Sequence, residues 1–524
     1  MTVKQKTRSL TEQGAWLLAA RLIGFAFGFA LPLLLVRRLD QTSVGLYKQA
    51  FLTIATTAGI LPLGFSMSAF YFLSREDELN RKRTVFNILL FNFLVGGIAC
   101  LVFNLFPNLL GAVFQSVEMT RLAPVIGFVV WFWIFSSFLE VVAVANRETY
   151  ISTAFIISAQ LTKTIFLAGA AFFFATVEAL IYAALIQTVV QTIVLSVYLN
   201  RRFPRFWREF DFAFFRKQAV YALPLGFAGV IWTMQTDLHN YFVSHKFSAA
   251  EFAVYSFGCF ELPLLGMLSE AISSVLIPRM SELQSLDKKR DMLDLVARAM
   301  NKLALIYLPV YVLMMIVAES FMVTLFTENF RQSAPIFRIN LTLLPFYIIA
   351  TDSIVRAYKE LGRFLLVLRI VFFVALVALL WFGINNFDLR GMIAIVVCIS
   401  ISERIIATFR VGQKLNVTLK DLPLLANVGK IAIASIIAGS ATFAAYLLTQ
   451  NALPVVNLLI CGIVFAPIYL TLVVIFKAIP EEDKERAVNL FKSFTNRLRS
   501  KSKVINNPTS PETFAAIQNP KPKT

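Results

Sequence analysis

Long apolar runs alternate with short polar ones along most of this chain. A helix needs about 20 apolar residues to cross the hydrocarbon core of a bilayer. Runs of that length lie near residues 14–36, 44–73, 84–106, 121–145, 150–174, 177–200, 218–243, 249–278, 299–326, 333–358, 362–384, 389–412, 428–449 and 454–476. The pattern predicts an all-α polytopic membrane protein with about fourteen transmembrane helices. The first run follows the polar segment MTVKQKTRSL and is longer than a signal-peptide core, so it is expected to stay as the first span.

Charge along the polar segments sets an expected orientation, because cytoplasmic loops collect Lys and Arg. With Lys4, Lys6 and Arg8 inside, every second loop should be basic. Arg75, Arg81, Lys82 and Arg83 follow the second run, and Arg201, Arg202, Arg205, Arg208, Arg216 and Lys217 follow the sixth. The loops after the eighth, tenth and twelfth runs are basic as well. The alternate loops are poor in charge, except the first, which carries Arg37, Arg38 and Lys48. Both termini are therefore expected in the cytoplasm, and the outer loops are too short to hold a catalytic domain.

Composition agrees and narrows the classes. The 524 residues are 58% hydrophobic, 14% aromatic and only 15% charged, against about 25% charge in soluble proteins. That excludes an ordinary soluble enzyme. A net charge of +18, from 49 basic and 31 acidic residues, fits basic cytoplasmic loops better than a nucleic-acid partner. Cys100, Cys259, Cys398 and Cys461 all lie in apolar runs and read as buried hydrophobes, not as disulfides or metal ligands. With His239 and His245 as the only histidines, a histidine metal site is not expected. No GxxxxGK[ST] run occurs, so no nucleotide or other cofactor is expected. Beyond Pro480, Ala487, Phe491, Phe494 and Leu498 recur at helical spacing among basic residues, which suggests an amphipathic helix on the inner leaflet.

An internal repeat organises the runs. VRRLDQTSVGLYKQAF (residues 36–51) and VSHKFSAAEFAVYSFGCF (residues 243–260) each leave a span, turn through a short polar segment and re-enter with a helix carrying Tyr47 or Tyr255. Six spans separate them, so the direction in the membrane is the same. Two parallel six-helix halves follow: an N-terminal bundle over 1–200, a cytoplasmic linker over 201–217 and a C-terminal bundle over 218–412. Two additional helices over 428–476 and a basic cytoplasmic tail over 477–524 complete the expected plan. In transporters of this type the substrate site lies between the halves, near the midplane.

This plan, together with the Gly-rich first span, LPLGFSMSAFYFLSR (residues 61–75), SSVLIPRMSEL (residues 273–283) and RAYKELGR (residues 356–363), resembles the polysaccharide-transporter branch, with its Wzx-type oligosaccharide flippases, of the MATE/MOP flippase superfamily. The resemblance covers roughly residues 10–476. It implies a V-shaped cavity that alternates between the two sides and a lipid-diphosphate-linked sugar as cargo, with the lipid tail along the last two spans.

Charges inside the spans are the candidate chemistry, since a charge at mid-membrane costs roughly 2.5–3.5 kcal/mol on insertion scales. Arg21 falls near one stripe with Gly14, Gly24, Gly28 and Pro32, a face that admits a neighbour or a large ligand. It could bind a phosphate or pair with an acid on another helix. Lys163 shares a face with Gln160 and Thr164 and could bind phosphate or pair with Glu140. Arg369 could serve a cavity or snorkel to the surface. Lys48 could guide anionic cargo or simply be solvated. Among the acids, Glu140, one turn after Ser136, and Asp237, beside Gln235 and His239, are candidates for coupling H⁺ or Na⁺. Each could instead partner a basic residue. Asp352 and Arg356, at i and i+4, read as a local ion pair. Pro62, Pro224, Pro263, Pro309 and Pro345 are expected to kink their spans.

The expected function is an inner-membrane flippase moving an undecaprenyl-diphosphate-linked oligosaccharide, an O-antigen or exopolysaccharide repeat unit, by alternating access. A lipid II flippase, a MATE-like multidrug or cation exporter and a membrane glycosyltransferase are the rival readings. The short outer loops count against the glycosyltransferase.

Overall fold

The computed structural model describes residues 10–479, with side chains from Leu22 onward except at Thr149 and Leu225. The side chain of Arg21 and the amphipathic helix expected beyond Pro480 lie outside the described residues. The described chain is a succession of helices. The first half holds α1 (Leu10–Arg38), α2 (Gln41–Ile60), α3 (Ala69–Phe72), α4 (Glu78–Leu105), α5 (Asn108–Phe114), α6 (Val117–Ser136), α7 (Phe138–Ala145), α8 (Thr149–Phe173) and α9 (Val177–Arg202). Next comes α10 (Phe212–Lys246), which packs against elements of both halves. The second half continues with α11 (Ala249–Gly258), α12 (Pro263–Ser285), α13 (Lys289–Phe326), α14 (Ser333–Leu341), α15 (Asp352–Ala357), α16 (Lys359–Asn386) and α17 (Leu389–Lys414). Last come α18 (Ala426–Thr449) and α19 (Pro454–Ile475).

Among the described residues, nine helical stretches are long and apolar enough to cross a membrane, or eleven if each of two bent pairs forms one span. The bent pairs are Gln41–Ile60 with Phe65–Phe72, at 43°, and Ala249–Gly258 with Pro263–Ser285, at 47°. Each pair opens inside one copy of the internal repeat, so both copies lead into a bent span. Each break has a local cause. In the first, Pro62 follows α2 and Gly64 adopts φ +65, the left-handed region open to glycine. In the second, Pro263 opens α12, where its missing N–H leaves no intrahelical bond unmade.

The tenth expected span is also interrupted: α14, a 3₁₀ turn over Leu344–Ile348 and α15 replace the continuous helix expected over 333–358. Pro345 lies in that turn and cannot donate to a helical ladder. The fourth runs through, because Ser137 between α6 and α7 keeps helical dihedrals and its N–H donates to the Trp133 carbonyl at 2.9 Å.

The halves meet where the repeat copies cross. Asp40 caps α2 through Thr42 N–H at 3.1 Å, and Ser248 caps α11 in a reciprocal box with Glu251. A Cβ on Gly45 of α2 would stand 1.8 Å from the Ala249 carbonyl oxygen, so glycine is required for this approach. Tyr255 is fully buried there and meets His239 of α10, with 2.7 Å between its hydroxyl and Nδ1.

The first loop carried cations against the charge alternation, and each has a specific partner. Arg37, in the last turn of α1, donates to the Leu325 and Thr324 carbonyls at the end of α13, at 3.0 and 3.1 Å. The Arg38 guanidinium lies 4.5 Å from the Phe172 ring centroid, and Lys48 lies further along, in α2. Beside them the Gln41 side chain donates to the Asn329 carbonyl. The two halves are thus tied together at the end of the molecule that carries the α1–α2 turn. The last two helices pack on α13 through Tyr469, whose hydroxyl donates to the Leu305 carbonyl at 2.8 Å, and through Ser320, which donates to Asn457 at 2.9 Å.

Gly45→Ala is expected to destabilise the protein by about 1–3 kcal/mol, because the added methyl meets main chain and not a movable side chain. A lower thermal unfolding midpoint in detergent checks this, and an unchanged midpoint would contradict the close crossing of α2 and α11.

Candidate functional site

Between the halves lies a cavity of about 520 Å³. Its wall includes Gly24, Gly28 and Pro32 of α1, Lys48 of α2, Glu140 of α7, Gln160 of α8 and Phe260 at the α11–α12 break. The small-residue stripe of α1 therefore does face an opening, as its spacing suggested. Gly24 also meets the Gln160 side chain, where an added Cβ would lie 3.2 Å from Cγ. A side chamber of about 200 Å³ shares Glu140, Ile156 and Gln160 with this cavity and continues to Lys163, Ser136, Gln187 and Gln191.

Two cations stand on these walls. The Lys163 ammonium lies 4.8 Å from the Trp133 ring centroid and 5.6 Å from that of Phe51. The Lys48 ammonium lies 4.5 Å from the Phe257 ring. Neither makes a salt bridge among the described residues. Lys163 and Glu140 line the same chamber without pairing, so the rival to phosphate binding considered for Lys163 is not formed. Ring faces attract a cation without neutralising it, and the positive charge stays available to a ligand. Lys48 is half-buried on the main cavity wall and not a solvated rim residue. Its spacing gave no sign of this, because the crossing partner α11 supplies the wall around it.

Arg369 has a different environment. Its Nε lies 3.3 Å from Glu403 of α17, Gln235 of α10 donates to the same carboxylate at 2.8 Å, and the guanidinium lies 5.1 Å from the Trp232 ring. A part-buried carboxylate partner holds this cation, and it lies on neither the main cavity nor the lysine chamber. Glu403 thus joins three helices.

Asp237 on α10 accepts from the Thr56 hydroxyl of α2 at 2.9 Å and has no basic partner among the described residues. It sits on the seam between the halves. Glu140 is exposed to the cavity, in the first turn of α7. The ion pair expected within α15 is absent: Asp352, in the first turn of that six-residue helix, faces a cavity in the second half and does not pair with Arg356. No group of three or more His, Cys, Asp or Glu that could hold a metal occurs among the described residues.

Comparisons with known proteins follow this geometry. The family model described as polysaccharide biosynthesis protein matches residues 63–335, just over half of the chain. No curated protein matches the sequence. Among solved structures, the chain is similar to the lipid II flippase MurJ in an inward closed conformation, with TM-score 0.64 and 15% identity, over 88% of this chain and 98% of that one. It is also similar to an outward-facing multidrug resistance MATE family transporter of the MOP superfamily, with TM-score 0.54 and 14% identity, over 77% and 95%. A third is a MOP superfamily transporter from Pyrococcus furiosus, described as having a binding pocket of reverse polarity, with TM-score 0.54 and 12% identity, over 78% and 95%. At these identities the likeness is one of fold: a multi-pass helical membrane protein of the MOP architecture.

Two outcomes test the site. In a variant lacking the four native cysteines, Lys163→Cys and Lys48→Cys should react with a small charged, membrane-impermeant thiol reagent, while Leu379→Cys, on the exposed face of α16, should not. Equal reactivity at all three positions would contradict the separation of wet and lipid-facing walls. A double-mutant cycle on Arg369→Gln and Glu403→Gln should give a coupling of about 0.5–3 kcal/mol, read from thermal unfolding, and simple additivity would show the pair to be energetically idle.

Proposed function

The chain belongs to the polysaccharide biosynthesis protein family, and from that premise we propose that it is a flippase for a lipid-diphosphate-linked oligosaccharide. The cargo is an O-antigen or exopolysaccharide repeat unit on undecaprenyl diphosphate, and the setting is the bacterial inner membrane. The observation that carries this reading is the pair of unneutralised lysines, Lys163 and Lys48, on the wall of a cavity between two related bundles. A diphosphate cannot enter hydrocarbon without a large desolvation cost, and fixed cations on a water-accessible wall offset it. Arg21, three residues before Gly24 on the α1 stripe, is assigned to the same task. Arg369, held by Glu403, serves as a structural cation in this scheme.

Alternating access in this reading moves the halves about the α2–α11 crossing. The acyl chain stays in the bilayer while the headgroup passes. Asp237, on the seam and without a basic partner among the described residues, and Glu140, at the cavity wall, are assigned to H⁺ or Na⁺ coupling: loading either carboxylate changes its affinity for the opposing half. No bond in the cargo is made or broken. A lipid II flippase shares the mechanism, and the MurJ-like fold accommodates it. The family description favours polysaccharide precursors. A drug-cation exporter fits less well, since two lysines face the central space against the single carboxylate of Glu140.

Purified protein in vesicles should translocate an undecaprenyl-diphosphate-linked oligosaccharide added on one side. Lys163→Gln with Lys48→Gln should slow this by about tenfold or more, the loss of charge-assisted contacts to phosphate. Undiminished translocation by the double variant would overturn the assignment.

A further inference from the structure

The second half contains a chamber of its own, of about 310 Å³, which shares Phe260 with the main cavity. Its wall includes Trp232, Glu261, Tyr307, Tyr347, Asp352 and Arg404. It is built on the same plan as the lysine chamber in the first half. Each lies along the corresponding expected span, at the α6–α7 junction in one half and along α14–α15 in the other. Each has a carboxylate in the first turn of the second helix, Glu140 in one and Asp352 in the other. Each has a cation over an aromatic ring supplied by the same stretch of chain. Lys163 lies over Trp133, and the Arg404 guanidinium lies 4.3 Å from the Tyr347 ring centroid. Neither cation makes a salt bridge among the described residues.

The chambers differ in charge. The main cavity and its lysine chamber together hold Lys48, Lys163 and Glu140, a formal excess of one positive charge. The second chamber holds Glu261, Asp352 and Arg404, an excess of one negative charge. A diphosphate is drawn to the first and repelled from the second. The second wall instead suits a hydroxyl-rich, non-anionic group: carboxylates accept from hydroxyls, a guanidinium donates to them, and indole and phenol faces cover apolar ring surfaces. Hydroxyls are already arranged there, with Tyr307 donating to the Leu265 carbonyl at 2.6 Å and meeting Ser269 at 2.6 Å. Glu261 lies on the unwound stretch between α11 and α12, where the two spaces meet.

We propose that this chamber is the glycan subsite of the cargo. It takes neutral or amino sugars of the oligosaccharide while the diphosphate stays with the lysines, so Asp352, Glu261 and Arg404 set sugar specificity and disfavour acidic sugars. This rests on the flippase reading above and adds to it a division of headgroup and sugar between the two halves.

The test compares two probes on the full-length protein in nanodiscs by native mass spectrometry. One is undecaprenyl diphosphate, which has no sugar. The other is the undecaprenyl-diphosphate-linked oligosaccharide pool extracted from membranes of the native host. The wild type should bind the glycosylated pool at least about tenfold more tightly, the worth of one or two charge-assisted hydrogen bonds. Asp352→Asn and Arg404→Gln should remove most of that advantage and leave binding of the bare lipid unchanged, which also shows that the variants are folded. Lys163→Gln should weaken both probes. The proposal is overturned if the wild type holds both lipids equally, or if the Asp352 and Arg404 variants weaken both probes alike or neither. If the wild type binds neither lipid, the flippase reading itself fails.

Discussion

A side-chain charge within a bilayer must be paired or wetted, and the rest of this molecule is arranged around that constraint. Arg369 is paired, with Glu403 and Gln235 closing around it. Lys163, Lys48 and Arg404 are instead set over aromatic rings on cavity walls. A ring face stabilises an ammonium by roughly 0.5–2 kcal/mol, far less than a buried ion pair requires to be broken. Those cations are therefore positioned without being committed to a carboxylate.

The interruptions in the helices make such walls possible. Three of the expected spans break, one in the first half and two in the second. Unwound backbone in a membrane is tolerated only where it is covered by protein or lines a polar space. The breaks at 61–64, at 259–262 and at 342–351 are each of this kind. The last of them sets Asp352 on the wall of a chamber.

Much of this was legible in the sequence. Apolar run length placed helices at the expected positions, because the hydrocarbon thickness fixes a minimum span. The VRRLDQTSVGLYKQAF repeat placed a turn and a tyrosine-bearing helix in each half, but that the two helices cross each other is visible only in the structure. Lys163 with Gln160 announced a polar face through helical spacing alone. The tenth span was legible only in part: Pro345 marked a kink, but hydropathy is continuous there and does not show that Pro345 and its neighbours form a 3₁₀ turn between two short helices. The roles of Lys48 and Arg404 were illegible for a different reason. Each depends on a ring from a helix distant in sequence, Phe257 for one and Tyr347 for the other, and no periodicity within a single helix encodes that meeting. Asp352 and Arg356 had ideal spacing for an ion pair, but in six-residue α15 the carboxylate lines the chamber instead.

The tie between Arg37 and the end of α13 has a consequence of its own. Its acceptors are main-chain carbonyls left over where a helix stops, so no acidic side chain takes part and no change of acidity loosens it. Parting that end strands a guanidinium and two peptide oxygens together, and only water can replace what each has lost. The seam can come undone there only as fast as solvent threads into it, which makes hydration, and not titration, the toll on opening that side.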